Sequence, residues 1–368
     1  MFNSMSGDAR VRVFARASSW IEGAAVRQLE QLLARRGVIA VAGMPDLHPG
    51  HKGPVGCAVL TDGVVHPDIV GTDIGCGMTA WRLDGELRRL RLDKAERALG
   101  RLGDRGGLDV DAAVARGVPP DVAAAHAEAL GTVGGGNHFV ELQTVHQLVD
   151  AAACAAEGLA VGDLTLLVHS GSRGLGPAVL ARHPYDHGEG LALNTGGRAY
   201  LADHDVAVAF AALNRAVLAE RAAALLGLDG APWCDVPHNH VTLEGDRVLH
   251  RKGAAQADLG LVPVPGSRGA MTYLVRPDPR VAGALASLAH GAGRKRDRAS
   301  MRGRRDKERE RPNPVGNRVI CADRRLAEEE APEAYKPIAD VVADLEAHGL
   351  ARTVAVLKPV VTFKTARA

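Results

Sequence analysis

Aromatic side chains are scarce, at 3% of 368 residues. That scarcity removes the stacking platforms on which single-strand-binding proteins lay successive bases. Any core must then be mostly Ala, Val and Leu, since apolar residues still make up 46% of the chain. An excess of one charge is missing too. Lys and Arg number 45 against 43 Asp and Glu, a net of +2, so global charge selects no partner. The five cysteines (Cys57, Cys76, Cys154, Cys234 and Cys321) are an odd number without a CxxC pair. They suit reduced thiols in a cytoplasmic protein, not a disulfide scaffold. No run of about 18 apolar residues exists, so no helix is expected to span a membrane. The opening MFNSMSGDARVRVF has no long apolar stretch of the kind a signal peptide needs. No internal repeat and no Pro/Ser linker is present, and residues 1–368 are expected to form a single α+β domain.

Periodicity places the elements. Ile21, Ala25, Leu29 and Leu32 fall on one face of a helix over 20–36. Short apolar runs predict strands at Val38–Ala42, Val55–Leu60, Met78–Leu83 and Leu164–Val168. Residues 84–130 read as helices with a mobile connection near Gly103–Gly107. The longest helical pattern covers 198–227. Val241–Leu249, with Glu244-Gly245-Asp246 at its centre, reads as a hairpin. Leu285–Ala289 reads as a helix end, 338–350 as a last amphipathic helix and Thr353–Lys364 as a last strand.

What the chain has in quantity is glycine, 43 residues, gathered in short polar strings that also carry histidine. They are Gly71-Thr72-Asp73-Ile74-Gly75-Cys76-Gly77-Met78, Gly134-Gly135-Gly136-Asn137-His138, His169-Ser170-Gly171-Ser172-Arg173-Gly174, Pro237-His238-Asn239-His240 and His290-Gly291-Ala292-Gly293-Arg294. Asp73 and Cys76 lie three apart in a turn, where a carboxylate and a thiolate can point at one metal and the thiolate can bridge two. With His138, His169 and His238 they supply five ligating side chains, enough for two metals with positions left open for phosphate. The plainer reading is a turn cap, a buried cysteine and satisfied core histidines. Four such strings in one chain favour the metal. Carboxylate and imidazole suit Mn, Zn or Fe, and the thiolate tilts toward Zn. Glycines beside Arg173 and Arg294, and the Pro265-Gly266-Ser267 turn, can wrap phosphate with backbone N–H groups. Arg294–Arg311 carries ten Lys/Arg and four Asp/Glu. It reads either as a solvated mobile loop or as a basic wall for an RNA backbone.

Taken in order, these strings resemble the RtcB RNA ligase family. Met44-Pro45-Asp46-Leu47-His48-Pro49-Gly50, Gly134 to Glu141, His250-Arg251-Lys252-Gly253-Ala254 and Pro332-Glu333-Ala334-Tyr335-Lys336 extend the likeness from about residue 12 to Lys364. The resemblance implies an α+β fold with mixed sheets around a deep two-metal cleft. It implies Mn(II) and GTP as cofactors, and RNA with 3′-phosphate (or 2′,3′-cyclic phosphate) and 5′-hydroxyl ends as substrate. By the same resemblance Asp73, Cys76, His138, His169 and His238 are metal ligands, with Cys76 bridging, and His290 becomes guanylylated. Asn137, His138, Glu141, Pro265, Ser267, Ala292, Gly293 and Lys364 match the GTP site, and Arg173 and Arg294 fall where phosphates are held.

The chain departs from the family pattern at Asp297, where Ser is common, at Pro337 in place of an acidic residue, and at Thr365 in place of a closing Gly. Residues 84–130 are also compressed. These features resemble the short branch coupled to release factor H, which implies repair of tRNA or rRNA fragments near the ribosome. Two other readings remain open on sequence. One is a two-metal phosphoesterase acting on RNA ends, which needs the five ligands but neither His290 nor a guanine pocket. The other is an RNA-associated factor without catalysis.

Overall fold

The computed structural model describes residues 10–103, 107–303 and 315–365. It is α+β, as expected. Two large sheets carry the architecture. A five-stranded sheet runs in the order Val11–Val13, Val38–His48, Val55–Asp62, Arg247–Lys252, Asn239–Glu244. An eight-stranded sheet runs Val262–Pro265, Thr272–Pro277, Ala351–Thr365, Phe139–Leu148, Asp163–Ser170, Gly77–Glu86, Gly230–Pro237, with Arg318–Cys321 pairing alongside Ala351–Thr365. That last pairing and Val11–Val13 with Val38–His48 are parallel, and the other pairings are antiparallel. Antiparallel neighbours put strand starts and strand ends at the same edge of a sheet. The starts of Gly77–Glu86 and Phe139–Leu148 therefore meet the ends of Asp163–Ser170 and Gly230–Pro237.

The longest helix, Arg198–Leu226, lies across this second sheet. It stops at Gly227, whose φ of 70° gives the left-handed cap that a Cβ would oppose. Leu218, Ala219, Ala222 and Ala223 face Leu164, Leu166 and Trp81 in one buried cluster. Burying a leucine such as Leu218 contributes about 2 kcal/mol. Small residues dominate the contact, which lets helix and sheet approach closely without aromatic bulk. The same helix carries Arg215, fully buried. Its guanidinium grips Asp235 at 2.6 and 2.7 Å and donates to the carbonyls of Gly75 at 2.7 Å and Ser170 at 3.0 Å. One side chain thus ties together three neighbouring strands just behind the edge where the histidines emerge.

Three elements differ from expectation. The first helix is shorter, Gly23–Gln31 followed by a 3-10 turn at Leu32–Ala34. The Val38 strand continues past Ala42 to His48, although Pro45 has no N–H to give the ladder. Pairing with Val55–Asp62 jumps there from Gly43–Cys57 to His48–Val55, so Met44 to Leu47 bulge out of register. Leu285–Ala289 is not a helix end. A 3-10 turn over Pro279–Ala284 closes at Leu285 and Ala286, at φ 54° and 47°, and Ser287–Ala289 pairs as a strand with Ala254–Gln256. His290 therefore leaves the end of a strand. The helices at Leu92–Gly100, Val110–Ala115 and Pro120–His126, the hairpin with its turn at Gly245, the helix Ile338–Ala347 and the strand Ala351–Thr365 follow the sequence reading. The expected connection near Gly103–Gly107 and most of the basic run fall on 104–106 and 304–314, outside the described residues.

Candidate active site

Five donors arrive at one place from separate strings. Cys76 directly precedes the strand Gly77–Glu86, and His169 is the penultimate residue of Asp163–Ser170. His138 directly precedes Phe139–Leu148, and His238 directly follows Gly230–Pro237. Register enforces the meeting, because Met78 and Phe139 both pair with His169 and Gly77 pairs with Pro237. The turn that carries Asp73 is held from outside. Asn239 Nδ2 donates to the Asp73 carbonyl at 2.6 Å, and the Gly75 N–H donates to the Asn239 carbonyl at 2.8 Å. Gly75, at φ 72°, lies where a Cβ would come within 2.7 Å of Ala211 on the long helix. Only glycine fits that turn against the helix.

The side-chain atoms form a continuous line. Asp73 Oδ2 is 3.2 Å from His138 Nε2, which is 3.3 Å from Cys76 Sγ. Cys76 Sγ is 3.2 Å from His169 Nε2, which is 3.2 Å from His238 Nε2. Cys76 thus sits at the middle, with an Asp–His pair on one side and a His–His pair on the other. Donor atoms of Cys76, His138 and His169 all lie within 4.8 Å of one another.

Electrostatics in the protein alone leave this line unresolved. Burial lowers His169 and His238 well below the ordinary histidine range, so both imidazoles are neutral. The Asn137 carbonyl, 3.2 Å from His169 Nδ1, fixes the proton on that nitrogen and turns a bare Nε2 toward Cys76. Burial, and then Asp73, push the Cys76 thiol far up. Burial would raise Asp73 as well, but the His138 imidazole outweighs it and holds the carboxyl below its usual range. Buried lone pairs facing one another across 3.2 Å need positive charge between them. A carboxylate, a thiol and three neutral imidazoles on this spacing are a donor set that fits divalent metal.

His290 stands beside the line, its ring centroid 4.8 Å from that of His238. Its Nδ1 is 2.6 Å from Asp46 Oδ2, and its backbone N–H donates to the same oxygen at 3.2 Å. Asp46 is fully buried. It is the residue thrown inward by the bulge at Pro45, and Lys336 fixes the bulge by donating to the carbonyls of Pro45 at 3.0 Å and Leu47 at 2.8 Å. His48 Nδ1 is 2.8 Å from the Asp46 carbonyl. Gly293 packs so tightly here that a Cβ would fall 2.2 Å from that carbonyl oxygen. The arrangement anchors one edge of the His290 ring and leaves Nε2 for chemistry.

A cavity of about 800 Å³ opens in front of these groups. Of the residues expected to bind nucleotide, Asn137, Glu141, Pro265, Ser267, Ala292, Gly293, Arg294 and Lys364 line it. His138 reaches the metal line instead. Arg173 is not among the lining residues: its Nε donates to Thr132 Oγ1 at 3.1 Å and its guanidinium packs on Gly134. Arg294 lines the wall with its guanidinium engaged by Glu330, Tyr335 and the Glu329 carbonyl. Glu141 is buried, and burial pushes its carboxyl up to about 7 against the pull of hydrogen bonds from Thr362 and Gln143. Lys364 donates to the His138 carbonyl at 3.1 Å, which ties the last strand to the metal line. Asp46, Lys336 and Asn239 had no assigned role in the sequence reading. The signal for Asp46 was a carboxylate inside an otherwise apolar strand.

Comparison with known proteins places this geometry. The family model for the tRNA-splicing ligase RtcB matches residues 28–105 and 95–365. The chain is 43% identical over 367 residues to the RNA-splicing ligase RtcB2 of Escherichia coli, a match spanning 96% of this chain and 95% of that protein. It is 31% identical over 412 residues to the RNA-splicing ligase RtcB of Mycobacterium tuberculosis, spanning 86% and 94%. It is 29% identical over 448 residues to the tRNA-splicing ligase RtcB of Archaeoglobus fulgidus, spanning 92% and 90%.

Proposed function

Because the chain belongs to the RtcB family of RNA ligases, we propose that it joins RNA 3′-phosphate or 2′,3′-cyclic phosphate ends to 5′-hydroxyl ends, using GTP and Mn(II). The observation that carries the reading is the buried Asp46–His290 pair set against the metal line. A two-metal phosphoesterase has no use for a second, carboxylate-anchored imidazole beside its ligands.

In this reading Asp73 and His138 on one side of Cys76, and His169 and His238 on the other, would hold two Mn(II) ions. Bound there, the ions supply charge neutralisation for phosphates and bring the thiol to its thiolate. His290 Nε2 gives its lone pair to the α-phosphorus of GTP. The N–P bond forms, the bond to the bridging oxygen breaks and pyrophosphate leaves. Asp46 holds the Nδ1 proton and stabilises the positive ring that results, the role a carboxylate plays behind a catalytic histidine. An oxygen of the RNA 3′-phosphate then takes GMP from His290. The 5′-hydroxyl of the second strand attacks the activated 3′-phosphorus, loses its proton and expels GMP. Glu141 and Lys364 face the guanine, the carboxylate accepting from N1 and N2 and the ammonium donating to ring acceptors. Residues 1–368 act as one catalytic unit in the cytoplasm. The departures at Asp297, Pro337 and Thr365 favour a repair role linked to release factor H and ribosomes.

The test is joining of a 3′-phosphate RNA to a 5′-hydroxyl RNA with GTP and Mn(II). Product is expected with the wild-type protein, none after metal removal by chelator and none from His290→Ala. Release of inorganic phosphate without joined product would point to the phosphoesterase instead.

A further inference from the structure

Beside the main cavity lies a second hollow of about 200 Å³ that shares Gly50, His51, Val55 and Lys252 with it. The shared wall is next to the nucleophile: a Cβ on Gly253 would meet Val55 at 2.5 Å and His290 Cε1 at 3.0 Å. Leu32, Ile69 and Leu180 make much of the hollow apolar. Its polar group is Asp68, 4% exposed. Asp68 Oδ2 accepts from Arg35 at 2.6 Å and lies 3.3 Å from His187 Nδ1. Asp68 Oδ1 is buried and has no hydrogen-bond partner among the described residues. A buried acceptor of this kind calls for an N–H or O–H donor. The exposed side chains of His51 and Lys52 stand at the rim.

We infer that this hollow receives the terminal base of the RNA strand that ends in the 5′-hydroxyl. The inference rests on the ligase reading and adds to it the place of the second strand. Joining requires two RNA ends at one centre, and the main cavity already has to hold the nucleotide and the 3′-end. A hollow that branches off the same wall brings the acceptor in from a separate side. Its size suits one base, not a nucleotide with its phosphate. Its lining is the kind that takes a splayed-out base: apolar walls with a single acceptor for an edge N–H. A phosphate is repelled there by Asp68. The phosphate that follows the first nucleoside instead meets His51 and Lys52 outside.

The test compares acceptor RNAs with and without a base at the 5′-terminal nucleotide, using the wild-type protein and Leu180→Trp, which fills the hollow from its wall. Wild-type protein should show an acceptor KM about tenfold higher for the abasic strand, the scale of one lost base contact. Leu180→Trp should show that same raised KM for the intact strand and no further rise for the abasic one. GMP uptake from labelled GTP and activation of the 3′-end should be unchanged. Equal KM for the two strands with wild-type protein overturns the inference, and so does an unaltered acceptor KM in Leu180→Trp. If Leu180→Trp takes up no GMP, the wild-type comparison decides alone. If wild-type protein takes up none, the ligase reading itself has failed.

Discussion

Asp46 is a carboxylate without access to water, and the ring it holds is His290, 244 positions away. The strings rich in Gly and His made the metal donors legible in the sequence, because ligand-type residues in polar turns stand out. The Asp46–His290 partnership was not legible, since it depends on a register bulge that no local pattern announces. Lys336 is a positioning residue in this account. It touches neither nucleotide nor metal donor, and it pins the two carbonyls that flank Asp46. Lys336→Met should slow GMP transfer to His290 by about 10–100-fold, the usual loss for a residue supporting a ligand or base from behind. Sealing of RNA supplied already activated with GMP should be unchanged, because that step does not use His290. Equal loss in both steps would mean that the variant merely damages the fold.

Glu141 adds a pH dependence at the same scale. Burial raises its carboxyl from 4.5 to about 7, so the folded protein binds that proton more tightly than the unfolded chain does. Its contribution to stability is therefore fullest below pH 4.5 and is lost as pH rises toward 7. Glu141→Gln removes this dependence. Denaturation midpoints at pH 5 and pH 7.5 should converge in the variant relative to wild type by the equivalent of about 2–3 kcal/mol. An unchanged difference would show that Glu141 titrates normally.

Among the elements, long periodic stretches were read well and short apolar runs were not. The helix Arg198–Leu226 and the strand Ala351–Thr365 lie within a few residues of their expected ends. Leu285–Ala289 is too short for its period to separate helix from strand, and two residues at positive φ decided it. Val38–His48 was expected to stop before Pro45, yet the chain runs through the proline by leaving the ladder. The long helix was legible as a helix, but the task of Arg215 was not. Its grip on Asp235 and two strand-end carbonyls is what aligns the edge carrying Cys76, His169 and His238. Arg215→Ala should lower stability by about 3 kcal/mol in chemical denaturation, the lower end for breaking a buried pair, since Asp235 is partly exposed. A loss below about 1 kcal/mol, as for a surface ion pair, would contradict that role.

At the scale of the molecule, the α+β class follows from strands and helices without strict alternation, whereas the two-sheet arrangement does not follow from pattern. What composition did foretell is the quality of the contacts. With few aromatics, close packing falls to Ala, Val and Leu, and glycines let loops press against one another where the donors converge. The central claim is that this convergence serves one covalent step at one imidazole. The direct measurement is incubation with α-labelled GTP and Mn(II), followed by proteolysis and mass mapping of the adduct. The account predicts one GMP per chain, acid-labile and attached to His290, with no adduct in His290→Ala. A GMP adduct on another residue, or one that persists in His290→Ala, would contradict it.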